Sequence, residues 1–168
     1  MIVMGIDPGY AIVGYGIIQY DSGRFKVIDY GAITTDAGTL FNERLESIYD
    51  EFISIAAKYK PDVMAIEKLF YNTNAKTVID VGQARGVLML AAQKSGMKIF
   101  EYTPLQVKQS VVGYGRAEKK QVQEMTKRIL NLKAVPKPDD TADALAMAIC
   151  HAHCSGSAFV GLNVRKGI

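Results

Sequence analysis

The first apolar run of this chain ends in an acid. Ile2–Ile6 is a short apolar stretch typical of a buried strand, and Asp7 follows it directly, ahead of a Pro8-Gly9 turn. A carboxylate at the end of an otherwise apolar strand costs free energy unless it is paired or binds a metal ion. The chain therefore has to fold so that Asp7 receives partners.

The remaining apolar runs predict an α/β fold. Further strands are predicted at Ile12–Tyr20, Phe25–Thr35, Val63–Ile66 and Lys98–Tyr102, with a hairpin turn at Asp21-Ser22-Gly23. Helices are predicted at Phe41–Lys60, Ala75–Ser95, Thr103–Val112, Ala117–Leu130 and Asp139–Cys154, with Asn42 and Asp139 as N-caps of the first and last. This order, βββαβαβααα, predicts a five-stranded mixed sheet of strand order 3-2-1-4-5 flanked by helices.

Glu67 repeats the arrangement of Asp7, since it closes the short apolar run Val63–Ile66. Two strands joined by a helical crossover are parallel neighbours. The carboxyl ends of parallel strands meet at one edge of an open α/β sheet, which is where such sheets place their sites. We therefore expect Asp7 and Glu67 to lie side by side.

The last predicted helix begins with three acids, Asp139, Asp140 and Asp143. Acids in a first turn suit the helix dipole, which accounts for Asp139 and Asp140 without any function. Asp143 is less well explained in this way, because it stands at the start of the apolar face of the helix. Asp140 and Asp143 share one helix face, since they are three residues apart, so both are candidate partners of Asp7 and Glu67.

Four carboxylates in one cleft favour a metal site. At ~4 Å each pair repels by about 4 kcal/mol at an effective dielectric constant of about 20, and hard divalent cations relieve this repulsion. Oxygen ligands favour Mg²⁺ or Mn²⁺. Because two ions ~3.5–4 Å apart can promote hydrolysis of a phosphodiester, we expect two Mg²⁺ per active site, with Mn²⁺ able to substitute.

Composition narrows the class of protein. The chain has 168 residues, 49% of them apolar, which suits one globular domain with a full hydrophobic core. No apolar run reaches the length of a membrane span, and the N-terminus lacks the pattern of a signal peptide, so we expect a cytoplasmic protein. A single domain is predicted over residues 1–168, with the last ~12 residues as a loose tail.

Basic residues are concentrated in one part of the chain. Between Lys98 and Lys137 nine Lys and Arg residues stand against three acids, a charge of +6 in a chain of net charge +3. Such a segment favours a polyanion as partner. It is equally typical of a solvated helical surface, so charge alone leaves both interpretations open.

Seven short motifs stand in order along nearly the whole chain. They are Gly5-Ile6-Asp7-Pro8-Gly9, Gly14-Tyr15-Gly16, Glu67 with Phe70, Gly82-Gln83-Ala84-Arg85-Gly86, Val111-Val112-Gly113, Ala117-Glu118-Lys119 and Asp140-Thr141-Ala142-Asp143-Ala144-Leu145-Ala146. Together these motifs resemble the bacterial RuvC family of Holliday-junction resolvases. An Asp-Pro-Gly turn alone is a weak signal, because the actin and sugar-kinase fold uses a related loop to bind phosphate. The ordered set is specific.

The resemblance implies a ribonuclease-H-like fold and a homodimer that nicks two opposed strands of a four-way DNA junction with Mg²⁺. It implies a role in recombination and repair, with cooperation from a branch-migration motor. By position, Asp7, Glu67, Asp140 and Asp143 correspond to the catalytic, metal-binding acids. Some relatives carry His where Asp140 stands.

The resemblance also implies binding roles. Phe70 corresponds to an aromatic residue that stacks on an unpaired base, and Lys108 and Lys119 correspond to basic positions near the scissile phosphate. The full set of predicted DNA contacts is Phe70, Tyr71, Lys108, Arg116, Lys119 and Lys120. The predicted dimer interface contains Gly82, Arg85, Gly86 and Met89.

Other interpretations compete with this one. The Asp7-Pro8-Gly9 turn also fits an actin-like ATPase or kinase fragment, although such enzymes normally need two domains. A junction-binding protein without catalytic activity is the non-enzymatic alternative. The segment Cys150–Cys154, with His151 and His153, resembles a zinc site, but one helix does not gather four tetrahedral ligands, so we expect reduced core cysteines and surface histidines.

Overall fold

A computed structural model of the chain describes residues 1–69 and 75–155, and for residues 75 and 76 the backbone alone. The predicted loop residues Phe70 and Tyr71 and the predicted C-terminal tail lie outside the described residues. Five strands and five helices are described: β1 (Ile2–Asp7), β2 (Ile12–Asp21), β3 (Arg24–Thr34), α1 (Phe41–Tyr59), β4 (Val63–Glu67), α2 (Ala75–Lys94), β5 (Lys98–Tyr102), α3 (Pro104–Val112), α4 (Lys119–Ile129) and α5 (Asp139–Cys154). None of these helices has both the length and the apolar composition that a membrane span requires.

The five strands form one mixed sheet in the order β3-β2-β1-β4-β5, which confirms the predicted topology. The hairpin strands β1, β2 and β3 pair antiparallel, whereas β4 pairs parallel to both β1 and β5. The turn between β2 and β3 consists of Ser22 and Gly23, both with positive φ, as a tight two-residue hairpin requires. Helical crossovers account for the two parallel pairings.

Two predicted helix caps are wrong. Leu40 occupies the N-cap position of α1, and Asn42 is already inside the helix, where its side chain cannot reach back to cap the first amides. Pro138 precedes α5, so Asp139 is the first helical residue. The Asp139 carboxylate instead accepts a hydrogen bond from Lys137 Nζ at 2.5 Å.

Both faces of the sheet are covered, and alternate residues of each central strand belong to different cores. Met4 and Ile6 of β1 pack with α1 and α2, whereas Val3 packs with α5 on the opposite face. The same alternation holds in β4, where Val63 and Ala65 face α5. Since side chains alternate along a strand, Asp7 and Glu67 project to the α5 face.

One of the two histidines of α5 is inside the protein. His151 is 1% exposed, its Nδ1 lies 2.8 Å from the Tyr102 hydroxyl, and burial lowers its pKa to about 4. The prediction of surface histidines is therefore right for His153, which is exposed, and wrong for His151. Cys150 is buried and unpaired by any disulfide, as expected.

Helix α5 lies directly on the sheet because glycines leave room for its backbone. A Cβ added to Gly5 would stand 2.0 Å from the carbonyl oxygen of Ala144, and one added to Gly14 would stand 2.0 Å from that of Asp140. In addition, Thr141 donates a hydrogen bond to the carbonyl of Gly31 at 3.0 Å. The start of α5, with its acids, is thus held close to the end of β1.

We expect Gly14→Ala to lower the free energy of unfolding by about 2–3 kcal/mol, because the new methyl group can be accommodated only if the first turn of α5 moves away from β2. Urea unfolding measures this change. Gly38→Ala is the matched control, since an added Cβ there meets no atom closer than 3.7 Å. Equal stability of the two variants would show that α5 does not need the glycine surface.

Candidate active site

Asp7 and Glu67 are brought together by two parallel strands. The register of β1 and β4 pairs Ile6 with Ile66, so the next residue of each strand lies beside the other at the carboxyl edge of the sheet. Both side chains point to the face that α5 covers. The backbone places these two acids side by side at one edge of the sheet, as the sequence predicted.

Helix α5 brings the other two acids to this edge. Asp143 raises the pKa of both Asp7 and Glu67, which places its charge near both groups. Asp140 also raises the pKa of Asp7, but it contributes less than Asp143 and Glu67. Asp143 is therefore the more central of the two α5 acids.

A cavity of about 260 Å³ opens at this edge of the sheet. Its charged walls come from five different elements or their ends: Asp7, Glu67, Lys108, Lys119 and Asp143. Its apolar walls come from α3, α4 and α5: Pro104, Val107, Val122, Ala146 and Met147. Asp140 is not among the lining residues. The cavity thus combines three acids and two amines with an apolar floor.

The acids of this cavity carry an unfavourable charge. Burial, followed by the charges of Asp143, Glu67 and Asp140, raises the pKa of Asp7 from 3.8 to about 7. Burial and Asp143 also raise the pKa of Glu67, an effect that Arg85 and Lys119 oppose. A further positive charge beyond these two would stabilise the site, because every cation nearby favours the ionised carboxylates.

Lys119 is the cation that contacts Asp143 directly. Its Nζ lies 2.7 Å from Asp143 Oδ2 and 4.0 Å from Asp139 Oδ2. The hydrogen bond to Asp143 is the main reason that the pKa of Lys119 is raised. The amine therefore stays protonated and neutralises part of the charge of the cluster.

The oxygen atoms of these acids suit a hard divalent cation, although the side chains are not arranged as the ligands of one ion. The acids offer only carboxylate oxygens, which Mg²⁺ and Mn²⁺ prefer, and burial together with the neighbouring carboxylates raises the pKa of Asp7. Within residues 1–69 and 75–155, however, no three His, Cys, Asp or Glu side chains are arranged to hold one ion.

Arg85 supports this edge of the sheet from the opposite face. It is 4% exposed, forms an ion pair with Glu101 of β5, and donates from Nε to the backbone carbonyl of Glu67 at 3.0 Å. Its NH1 group also lies 3.1 Å from the sulfur of Met89. Arg85 was predicted to lie in a dimer interface, but its side-chain contacts are internal, because α2 turns it toward the sheet.

The other predicted binding residues are distributed as follows. Lys108 lines the cavity and is partly buried, whereas Arg116 and Lys120 are exposed near the start of α4. Phe70 and Tyr71 lie outside the described residues. On α2, Gly86 is exposed and Gly82 and Met89 are partly buried.

Two features of the site were missed by the sequence analysis. The glycines that seat α5 appear in the motifs, and their positions 5, 14 and 16 on neighbouring strands are the signal that could have predicted a close helix contact. No sequence pattern predicts the ion pair between Arg85 and Glu101, since the two residues belong to different elements.

Comparisons with known proteins agree with this geometry. A sequence model of the family described as "Crossover junction endodeoxyribonuclease RuvC" matches residues 3–151. Curated RuvC proteins of Ruminiclostridium cellulolyticum and Alkaliphilus oremlandii are each 63% identical to this chain, covering 90% and 91% of it and 91% and 93% of their own lengths. The solved structure "T. thermophilus RuvC in complex with Holliday junction substrate" superposes with a TM-score of 0.87 at 32% identity, over 92% of this chain and 94% of that one.

In the metal-free protein we expect Asp7 to lower the free energy of unfolding as the pH rises from 3.8 to about 7. The effect is measured as the difference from Asp7→Asn, because His151, whose pKa is lowered to about 4, acts in the opposite direction over part of this range in both proteins. In this interval the folded protein keeps a proton on Asp7 that the unfolded chain has released, so raising the pH lowers the free energy of unfolding. Asp7→Asn removes the contribution of Asp7 to this dependence and is more stable than wild type at about pH 8 in EDTA, by on the order of 2–4 kcal/mol.

Chemical denaturation across this pH range measures the effect. Asp50→Asn, a change at an exposed position of α1, is the control and should follow wild type at every pH. If Asp7→Asn shows the same pH dependence as wild type, the charge of Asp7 is not the source of the instability.

Proposed function

Because this chain belongs to the RuvC family and is a crossover junction endodeoxyribonuclease that resolves Holliday junctions, we propose that Asp7, Glu67 and Asp143 are its catalytic acids. One observation carries this assignment: acids from β1, β4 and α5 line a single cavity together with two lysines. Asp140 is proposed as the fourth, peripheral acid, because it acts on Asp7 without lining the cavity.

The family is one of metal-dependent nucleases, and we propose Mg²⁺, two ions per active site, as the metal, with Mn²⁺ as a substitute. The carboxylates of Asp7, Glu67 and Asp143 would hold the ions. Bound Mg²⁺ supplies Lewis acidity toward the phosphate and the attacking water. The oxygen-only donor set and the raised pKa of Asp7 support this choice.

The chain's own residues also orient the substrate. Lys108 reaches the cavity from α3 and Lys119 from α4, so a phosphate between them would contact two amines. The apolar side chains of Val107, Val122 and Met147 line the same cavity.

We extend the DNA-binding surface from this cavity to the exposed start of α4. Arg116 and Lys120 are exposed there, beside Lys119, and can contact phosphates next to the scissile one. Phe70 and Tyr71 follow Glu67 closely in the sequence, so they are proposed to stack on bases near the crossover.

Neither the actin-like alternative nor the non-catalytic alternative is needed to explain the family match and the acids of the cavity. The family match covers residues 3–151, and the acids expected of a nuclease are present at the cavity. We also propose that the enzyme cooperates with a branch-migration motor, on the ground of its family alone.

A homodimer formed through α2 is proposed as the assembly that cuts two opposed strands. The outer face of this helix carries Ile79 and Leu90, which are 64% and 57% exposed, on either side of the exposed Gly86. Large exposed apolar side chains on one helix face are typical of protein interfaces. A glycine between them allows two helices to approach closely.

A nicking assay tests the assignment of the acids. On a synthetic four-way junction with Mg²⁺, Asp7→Asn should bind with near wild-type affinity and cut at least ~10³-fold more slowly, because one acid of the site is lost. Asp50→Asn should cut at the wild-type rate. Cutting by Asp7→Asn within a few-fold of wild type would refute the proposed site.

The proposed dimer is tested by Gly86→Arg. An added Cβ at Gly86 meets no atom within 4 Å, so the arginine fits a single subunit but would block a partner helix. Sedimentation equilibrium should therefore show a monomer, with the fold intact by circular dichroism. Ala57→Arg, an exposed small-to-arginine change on α1, should remain dimeric. A dimeric Gly86→Arg would exclude this face of α2.

A further inference from the structure

The positive charge that meets the acid cluster in this structure comes from the protein itself. Lys119 Nζ lies 2.7 Å from Asp143 Oδ2 and shares the cavity with Asp7 and Glu67. All three acids and Lys119 line one cavity, so the charge of Lys119 is near the whole group and not near Asp143 alone. It therefore occupies the electrostatic place of a bound cation.

Lys119 stands at a position that does not favour a cation. It is the first residue of α4, Lys120 follows it, and the first turn of this helix contains no acid. The helix dipole places partial positive charge at this end, so acids are favoured there and lysines are disfavoured. The contact with Asp143 offsets this local cost, and a local cost of this kind is typical of functional positions.

The ion pair between Lys119 and Asp143 is one in which the lysine can leave the carboxylate for another anion. The Lys119 side chain is 59% exposed and that of Asp143 is 29% exposed, so water and ions reach the contact. Ion pairs with this exposure contribute little to stability, and an ammonium on a flexible four-carbon chain can swing to another anion. The nearest anion that the substrate brings is a DNA phosphate in the same cavity.

We propose that Lys119 is an exchangeable counter-cation, which pairs with Asp143 in the free protein and thereby weakens divalent cation binding until a DNA phosphate draws it away. This inference rests on the proposed metal-binding role of Asp7, Glu67 and Asp143. Metal and DNA binding are then coupled, and each strengthens the other.

Lys108 provides a matched comparison within the same cavity. It lines the cavity from α3, and it forms no ion pair with any residue in the described parts of the chain. Removing its charge changes the general electrostatic potential of the cavity but frees no carboxylate. The two lysines therefore separate competition for Asp143 from simple charge repulsion.

The first measurement is Mg²⁺ binding to the DNA-free protein by titration calorimetry. Lys119→Met should bind Mg²⁺ about 2- to 5-fold more tightly than wild type, because a competing cation has been removed. Lys108→Met should show a smaller change, and Lys119→Arg, which keeps the pair, should resemble wild type. Unchanged or weaker Mg²⁺ binding by Lys119→Met overturns the proposal, since a purely structural or phosphate-binding lysine predicts that result.

The second measurement adds a junction that cannot be cut. Replacing the bridging leaving oxygens near the crossover by methylene groups keeps the phosphate charge and removes the leaving group. This junction should tighten Mg²⁺ binding more in wild type than in Lys119→Met, by the same factor that separates the two free proteins. Equal tightening in both proteins overturns the exchange.

Failure of the proposed function gives a different result. If wild type binds no Mg²⁺, or if Asp7→Asn binds it as well as wild type does, then the metal site itself is wrongly assigned and the exchange falls with it. If Asp7→Asn loses Mg²⁺ binding while Lys119→Met gains nothing, the metal site stands and only the counter-cation role is overturned. Circular dichroism and thermal unfolding confirm that each variant is folded.

Discussion

Repulsion among partly buried acids at the carboxyl edge of the sheet is the interaction on which this structure depends. Burial and three neighbouring carboxylates raise the pKa of Asp7 to about 7, so the folded chain holds the charge only at a cost. Parallel pairing of β1 with β4 and the contact of α5 with the sheet both increase this repulsion, because they bring Glu67 and Asp143 close. Cations near these acids therefore stabilise their ionised form. Such unfavourable arrangements of charge are typical of functional sites.

Close packing of a helix backbone on a sheet backbone makes this crowding possible. Gly5 and Gly14 let the carbonyl groups of Ala144 and Asp140 approach to where a Cβ would stand. With larger residues at these positions, α5 would stand farther from β1, and the acids would be separated by water that screens their charges. The glycines of the strands and the acids of the helix are therefore both needed to bring the carboxylates close together, although they are far apart in the sequence.

The sequence predicts most of the architecture, since apolar runs, turn residues and helix periodicity are local signals. The strand order follows from two hairpin connections and two helical crossovers, and the meeting of Asp7 with Glu67 follows from that order. The sequence does not reveal which particular side chains of different elements contact each other. The inward direction of Arg85, the burial of His151 and the pairing of Lys119 with Asp143 each depend on a partner from another element, which no local pattern identifies.

Arg85 connects the candidate dimer helix to the candidate catalytic strand. From the inner face of α2 it holds the backbone carbonyl of Glu67 and the carboxylate of Glu101, while Ile79 and Leu90 occupy the outer face of the same helix. A buried guanidinium with these partners resists displacement, because moving it would leave Glu101 without its counter-charge in a nearly dry environment. Any partner that shifts α2 would therefore also shift the end of β4, so that the position of Glu67 is set by the helix and the strand together.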